Sequence, residues 1–261
     1  MGIMGGRMKN LIGFSTGAIT DNISLEEKIK SLQELEIEAI EISCLRDIEL
    51  LELFSIAPKI DLSTFKYVSF HLPSKFDIVN KNNLFNLVTH LIRDVYFKKF
   101  NYDFNLVYHH DINIDYEILK TYSKYLLIEN LDIRKERTFN NQGFDDVLFD
   151  LPKSHFCLDT AHLISMRIWT DLKYDIKNNK ENIITDLKRH IYSSRLKQIH
   201  VSNMDFKNVK HIPLSDEIEE IYSETLNEPI IKQRNIPLIL ETPLELKYIN
   251  KEIEYLRYMI E

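Results

Sequence analysis

The sequence predicts a single (β/α)8 barrel, the TIM-barrel architecture, over residues 10–261, and three observations carry that prediction. Eight short apolar runs of strand-like composition recur along the chain. Stretches with apolar residues at helical spacing lie between them. Six of the eight runs carry His, Asp or Glu at or next to their last position, as expected when strand ends share one functional face. Length agrees, because the chain has 261 residues and α/β barrels occupy about 200–250 as one domain. Neither a Pro/Ser-rich linker nor an internal repeat splits the chain. An open doubly wound sheet is the competing architecture. Its usual glycine turn after the first strand is hard to find around Gly13 and Gly17.

In chain order the strand-like runs are 11–15, 39–43, 67–71, 105–109, 125–129, 155–159, 197–201 and 237–241. The helix-like stretch 24–35 opens with Ser24-Leu25-Glu26-Glu27, a capping box in which Ser24 and Glu27 satisfy each other's backbone donors. Apolar residues at helical spacing mark 84–97, 183–191, 218–226 and 249–259. The start, Met1-Gly2-Ile3-Met4-Gly5-Gly6-Arg7-Met8-Lys9, has no signal-peptide core and reads as a frayed or extraneous end, 1–9, outside the fold.

Composition excludes several functions. Only six glycines occur, three of them in the first six residues, where average usage of about 7% would give about eighteen. Neither a GxGxxG fingerprint nor a GxxxxGK[ST] loop can be written, so no glycine loop cradles a phosphate. A net charge of −7 and the lack of basic–aromatic interleaving argue against a nucleic-acid platform. Cys44 and Cys157 sit in apolar stretches and point to a reducing cytoplasm. No apolar run approaches a membrane span.

The chemistry lies in the strand ends: Ser15, Ser43, His71, His109, Glu129, Asp159, His200 and Glu241. Side chains alternate along a strand, so Asp159 shares a facing with Cys157 and His155, and Glu129 with Leu127 and Tyr125. Converging nitrogen and oxygen ligands suit Zn²⁺, Mn²⁺ or Fe²⁺. His162 follows Asp159 by three residues, and His211 follows His200 by eleven, a loop that can fold back over the barrel mouth. His110 competes with His109 but faces the other way. His90, His155 and His190 read as structural. Glu41 shares Ser43's facing and either reaches the pocket or is paired, and a lone Glu129 or Glu241 could pair with a cation such as Arg134.

This pattern resembles the xylose-isomerase-like TIM barrels, which include endonuclease IV and the sugar isomerases and epimerases. The resemblance runs through the strand 35–42, Phe70-His71, Tyr108-His109, Ile128-Glu129-Asn130, Leu158-Asp159-Thr160-Ala161-His162, Ile199-His200-Val201-Ser202-Asn203, His211-Ile212-Pro213-Leu214 and Leu240-Glu241. It implies an isomerase-type quartet at Glu129, Asp159, His200 and Glu241. The additional His71, His109, His162 and His211 match the endonuclease IV branch. That branch implies one metal near His71, His109 and Glu129, a second near the quartet, and a third near His162 and His211. Its Asp two residues before the last loop His is Val209 here, so the third ion loses a carboxylate unless Asp205 substitutes.

The resulting expectation is a multinuclear phosphoester hydrolase with two or three divalent ions. Glu129 bridges them, while Asp159 and Glu241 hold the second ion and orient the nucleophile. The substrate is a small phosphorylated compound or abasic-site DNA, with cations in 131–137 standing in for a glycine loop. The alternative is a single-metal sugar or sugar-phosphate isomerase or epimerase, with Glu129 and Glu241 exchanging a proton.

Overall fold

The computed structural model describes residues 10–44, 46–73, 77, 80–91, 93–94, 105–110, 115–131, 141–170 and 176–260. The N-terminal stretch 1–9 and the cation-bearing stretch 132–137, Arg134 included, lie outside them.

All eight expected runs are strands of one closed parallel barrel: β1 (Ile12–Ser15), β2 (Ala39–Ser43), β3 (Tyr67–His71), β4 (Leu106–His109), β5 (Leu126–Glu129), β6 (His155–Asp159), β7 (Leu196–Val201) and, last in the chain, β10 (Leu238–Leu240). β1 closes the barrel by pairing with both β2 and β10. Between β7 and β10 the chain inserts an antiparallel hairpin, β8 (Asn203–Asp205) and β9 (Lys210–Ile212).

Alternation along the strands sorts the residues into two surfaces. Phe14, Ile40, Ile42, Phe70, Tyr108, Ile128, Leu158, Ile199 and Leu240 join the large apolar core beneath the helices. The opposite positions fill the barrel interior, where Val107, Leu127 and Cys157 form a small separate apolar cluster. Above that cluster the interior is polar. This arrangement lifts the ionisable residues to the C-terminal mouth.

Gly13 shows why β1 tolerates a glycine in so glycine-poor a chain. It pairs with Ala39, and a Cβ there would lie 2.3 Å from the Ala39 carbonyl oxygen. The two backbones approach too closely for any side chain.

Helices follow the strands. Ser24 caps Leu25–Gln33 with the expected capping box. Asn82–Leu91, Ile176–Ile191, Asp216–Thr225 and Leu246–Ile260 match the periodic stretches, though the second half of 84–97 falls largely outside the described residues. Helices Asp47–Ile56, Tyr116–Tyr122, Asn141–Asp150, Thr160–Thr170 and Pro229–Gln233 were not expected. Thr160–Thr170 begins directly at the end of β6 and is mostly buried, so no polar face marks its period. Among the described residues no helix is long and apolar enough to cross a membrane.

Candidate metal centre

Strand ends deliver most of the predicted ligands. His71, His109, Glu129 and Asp159 are the last residues of β3, β4, β5 and β6, His200 is the penultimate residue of β7, and Glu241 immediately follows β10. His162 lies in the first turn of Thr160–Thr170, and the hairpin carries His211 back over the mouth from β9. Among the described residues, potential ligand atoms, one per residue and within 4.8 Å of one another in each group, form four overlapping groups. These are His71–His109–Glu129, Glu129–Asp159–His200–Glu241, Asp159–His162–His211 and Glu41–His71–Glu241.

The third group leaves Asp205, the open alternative, aside. Asp205 does not join it: its carboxylate accepts from the Lys207 and Asn208 backbone N–H groups and the Asn208 amide, closing its own hairpin. Asp159 supplies the carboxylate instead. Val209 sits at the hairpin turn with φ 48, packed with Ala161 and Met204. A β-branched residue in that region is strained, so the hairpin keeps its apolar anchor at a backbone cost.

Glu129 is the hub. Its Oε2 faces His71 Nε2 at 2.9 Å and His109 Nε2 at 2.6 Å, while its Oε1 faces His200 Nδ1 at 3.2 Å. Surrounding groups orient the imidazoles, as expected of metal-ligating histidines. His71 Nδ1–H donates to the Leu72 carbonyl at 2.6 Å and His162 Nδ1–H to the Asn130 carbonyl at 3.0 Å. His211 Nδ1 meets Ser202 Oγ at 2.6 Å. In each case Nε2 remains to face the site.

Sequence reasoning left Glu41 open and missed Gln198. Glu41 is fully buried; its Oε1 accepts from Ser15 Oγ at 3.0 Å and its Oε2 from Gln198 Nε2 at 2.6 Å and His200 Nε2–H at 2.8 Å. It therefore presents His200 Nδ1 to Glu129 and to Glu241, each 3.2 Å away. Gln198 lies two residues before His200 on the same face of β7, so the alternation that singled out His200 was also its signal. Asn130 pins β5 to β6 through both backbone groups of Asp159, at 2.7 and 2.9 Å.

Electrostatics bind this network together. Burial raises the Glu129 carboxyl, but His109 and His200 overcome it and hold the pKa well below the usual range. Burial also raises Glu41, and His200 with His71 brings it down to about 2. For His71 burial opposes charge, yet the Glu129 hydrogen bond and nearby carboxylates lift it to about 9. Burial, reinforced by Glu41 and Glu129, pushes Glu241 up to about 7 despite His200. Burial lowers His211, the opposite direction to His71.

The donor set fits divalent ions on grounds beyond composition. His162 Nε2 and His211 Nε2 face each other at 3.2 Å, two lone pairs if both Nδ1 atoms carry the proton. Among the described residues, the buried Asp159 Oδ2 has no hydrogen-bond partner. A cation satisfies such facing acceptors, whereas an apolar core does not. His110, the competitor of His109, is buried with its ring 6.0 Å from Phe144, away from these groups. His190 packs against Phe144 and Phe156, and His90 contacts Arg93.

No known family model and no curated protein matches the chain. Solved structures do match in fold. An L-ribulose 3-epimerase superposes with a TM-score of 0.58 at 13% identity, covering 94% of this chain and 86% of its own. The IolI protein with a zinc atom gives 0.58 at 12% identity, covering 95% of both chains. The probable 3-DHS dehydratase AsbF of Bacillus anthracis gives 0.59 at 12% identity, over 96% of this chain and 97% of its own. What the chain shares with them is the closed (β/α)8 barrel fold.

Proposed function

We propose that this chain is a divalent-metal-dependent enzyme that binds two or three zinc or manganese ions, with iron as an alternative, and cleaves a phosphoester in a small substrate. Ligand sharing supports this reading: Glu129 and Asp159 each belong to two of the four groups. A one-metal enzyme uses the quartet alone and leaves His71, His109, His162 and His211 without a role. The similar IolI protein carries a zinc atom, which agrees with metal binding on this fold.

Bound ions would supply Lewis-acid activation of water and charge neutralisation at the phosphoryl group. Glu129 has both oxygens turned toward different histidines, which suits a bridging carboxylate. Asp159 Oδ1 accepts the His162 backbone N–H at 2.7 Å, leaving Oδ2 for the site. Glu241 is the part-exposed member of the quartet, so it is the carboxylate that substrate or water reaches first. With glycine loops excluded, side chains and ions must meet the phosphate. The buried free cysteines Cys44 and Cys157 agree with a cytoplasmic setting.

Sugar or sugar-phosphate isomerisation or epimerisation is the second reading, and the similar folds favour it, an L-ribulose 3-epimerase among them. Glu129 and Glu241 would then exchange a proton on opposite faces of the sugar, which requires Glu129 to give up its histidine contacts. One experiment separates the readings. Metal-loaded protein is assayed on phosphomonoesters, phosphodiesters, an abasic-site duplex and a panel of ketoses and ketose phosphates. Phosphoester cleavage lost in Glu241→Gln supports hydrolysis; sugar turnover without cleavage selects the second reading.

A further inference from the structure

The barrel has a second opening at the end opposite the metal centre. Tyr67 begins β3, Asn105 precedes β4, and Lys197 lies at the start of β7. With Lys66, Arg234 and Asn235 they line a cavity of about 410 Å³, a size that accepts small molecules. Three cations reach it, and among the described residues no acidic side chain lines it.

The charges there are only partly neutralised. Lys66 pairs with Glu38 at 2.7 Å. Arg234 spends its hydrogen bonds on the neutral carbonyls of Ser193, Ser194 and Leu196, so its charge remains. Lys197 is exposed and makes no ion pair among the described residues. His155, at the same end of the barrel, reports the positive field: burial first, then Lys197, Arg195 and Arg234, hold its pKa below the ordinary value.

Tyr67 belongs both to this cavity and to the barrel interior. Its hydroxyl donates to Gln198 Oε1 at 2.9 Å, and Gln198 Nε2 donates to Glu41 Oε2 at 2.6 Å. Glu41 Oε2 in turn accepts from His200 Nε2–H at 2.8 Å. A continuous hydrogen-bonded path thus runs along the barrel axis from the cavity wall to a predicted metal ligand.

We propose that this cavity is a second binding site, for a small multivalent oxyanion of the phosphate or sulfate class, and that Tyr67, Gln198 and Glu41 connect its occupancy to His200. An anion held by Lys66, Lys197 and Arg234 lies against Tyr67 and biases the hydrogen bond that Tyr67 gives Gln198. Glu41's grip on His200 then changes, and with it metal affinity. Linkage makes the effect reciprocal, so bound metal changes anion affinity by the same factor.

Sulfate is the probe, because it keeps its charge across neutral pH. Calorimetric titration of zinc-loaded protein should show saturable binding, weakened at least tenfold in Lys197→Glu and in Lys66→Glu with zinc content unchanged. Both lysines are exposed, and their melting temperatures check folding. Zinc affinity, read by chelator competition, should respond to sulfate in the wild type and stop responding in Tyr67→Phe, which still binds sulfate. Absence of saturable binding, or binding that persists in both lysine variants and so places the anion elsewhere, overturns the site. A zinc response undiminished in Tyr67→Phe overturns the connection.

Discussion

In the proposed metal centre Glu41 should carry as much weight as the ligands themselves, because a histidine ligand is only as good as the group that fixes its other nitrogen. Glu41→Gln can still accept from the His200 ring but loses the charge that favours the ring's donor. Zinc affinity measured by chelator competition should therefore fall about 10–100-fold, with the fold intact by circular dichroism; unchanged affinity would remove Glu41 from this role. A pH effect follows from the same charges. His71, raised to about 9, contributes to the stability of chelator-treated protein fully below its ordinary pKa, and that contribution is lost as pH rises through about 9. Glu241, raised to about 7, acts in the same direction: its protonated form favours the native state, and that preference is lost as pH climbs from the ordinary value through about 7. Melting temperature of the chelated chain should fall between about pH 6 and pH 9, and the zinc-loaded chain should fall less. A chelated chain that gains stability over that interval would contradict these charge assignments. The ligand types at this scale were readable from strand ends alone. Gln198 and the roles of Nδ1 and Nε2 were not, since they depend on which neighbours the closed barrel brings across.

Elements hold the centre from behind. Helix Leu246–Ile260 sends Glu252 back under the mouth, where its Oε1 accepts from the Leu214 backbone N–H at 2.7 Å and Thr242 Oγ1 at 3.0 Å. It thus ties the segments that follow His211 and Glu241. Removing a buried acceptor leaves its donors unsatisfied, so Glu252→Ala should cost about 1–3 kcal/mol in denaturant unfolding; a neutral result would show that the tie is slack. Gly13→Ala should be worse, because the added carbon meets backbone rather than a movable side chain. Strands were legible to within a residue or two because each is short, apolar and punctuated. Helices with a polar face were legible too. Thr160–Thr170, buried along most of its length, and Asp47–Ile56, apolar through Ile48, Leu50, Leu51, Leu53 and Phe54, carry no such contrast for a periodicity argument to find.

At the scale of the molecule, barrel closure turns eight scattered strand ends into one mouth. The sequence order of His71, His109, Glu129, Asp159, His200 and Glu241 becomes a ring only because β1 pairs with β10. Substrate choice does not follow from that closure. The same closure leaves an interior filled by Glu41, Gln198 and other polar groups rather than by a continuous apolar core, so the ions should matter for stability as well as chemistry. Binding to the native state alone stabilises it by mass action, about 2.7 kcal/mol at a hundredfold excess over the dissociation constant. Chelation should therefore lower the melting temperature, and excess zinc should restore it. The most direct test of the central claim is the metal content of purified, zinc-equilibrated protein per chain, measured by elemental analysis on the wild type and on Glu129→Ala. The shared-ligand centre predicts two or more ions in the wild type and a loss of more than one on removing Glu129. One ion or none in the wild type, or a content indifferent to Glu129, would contradict it.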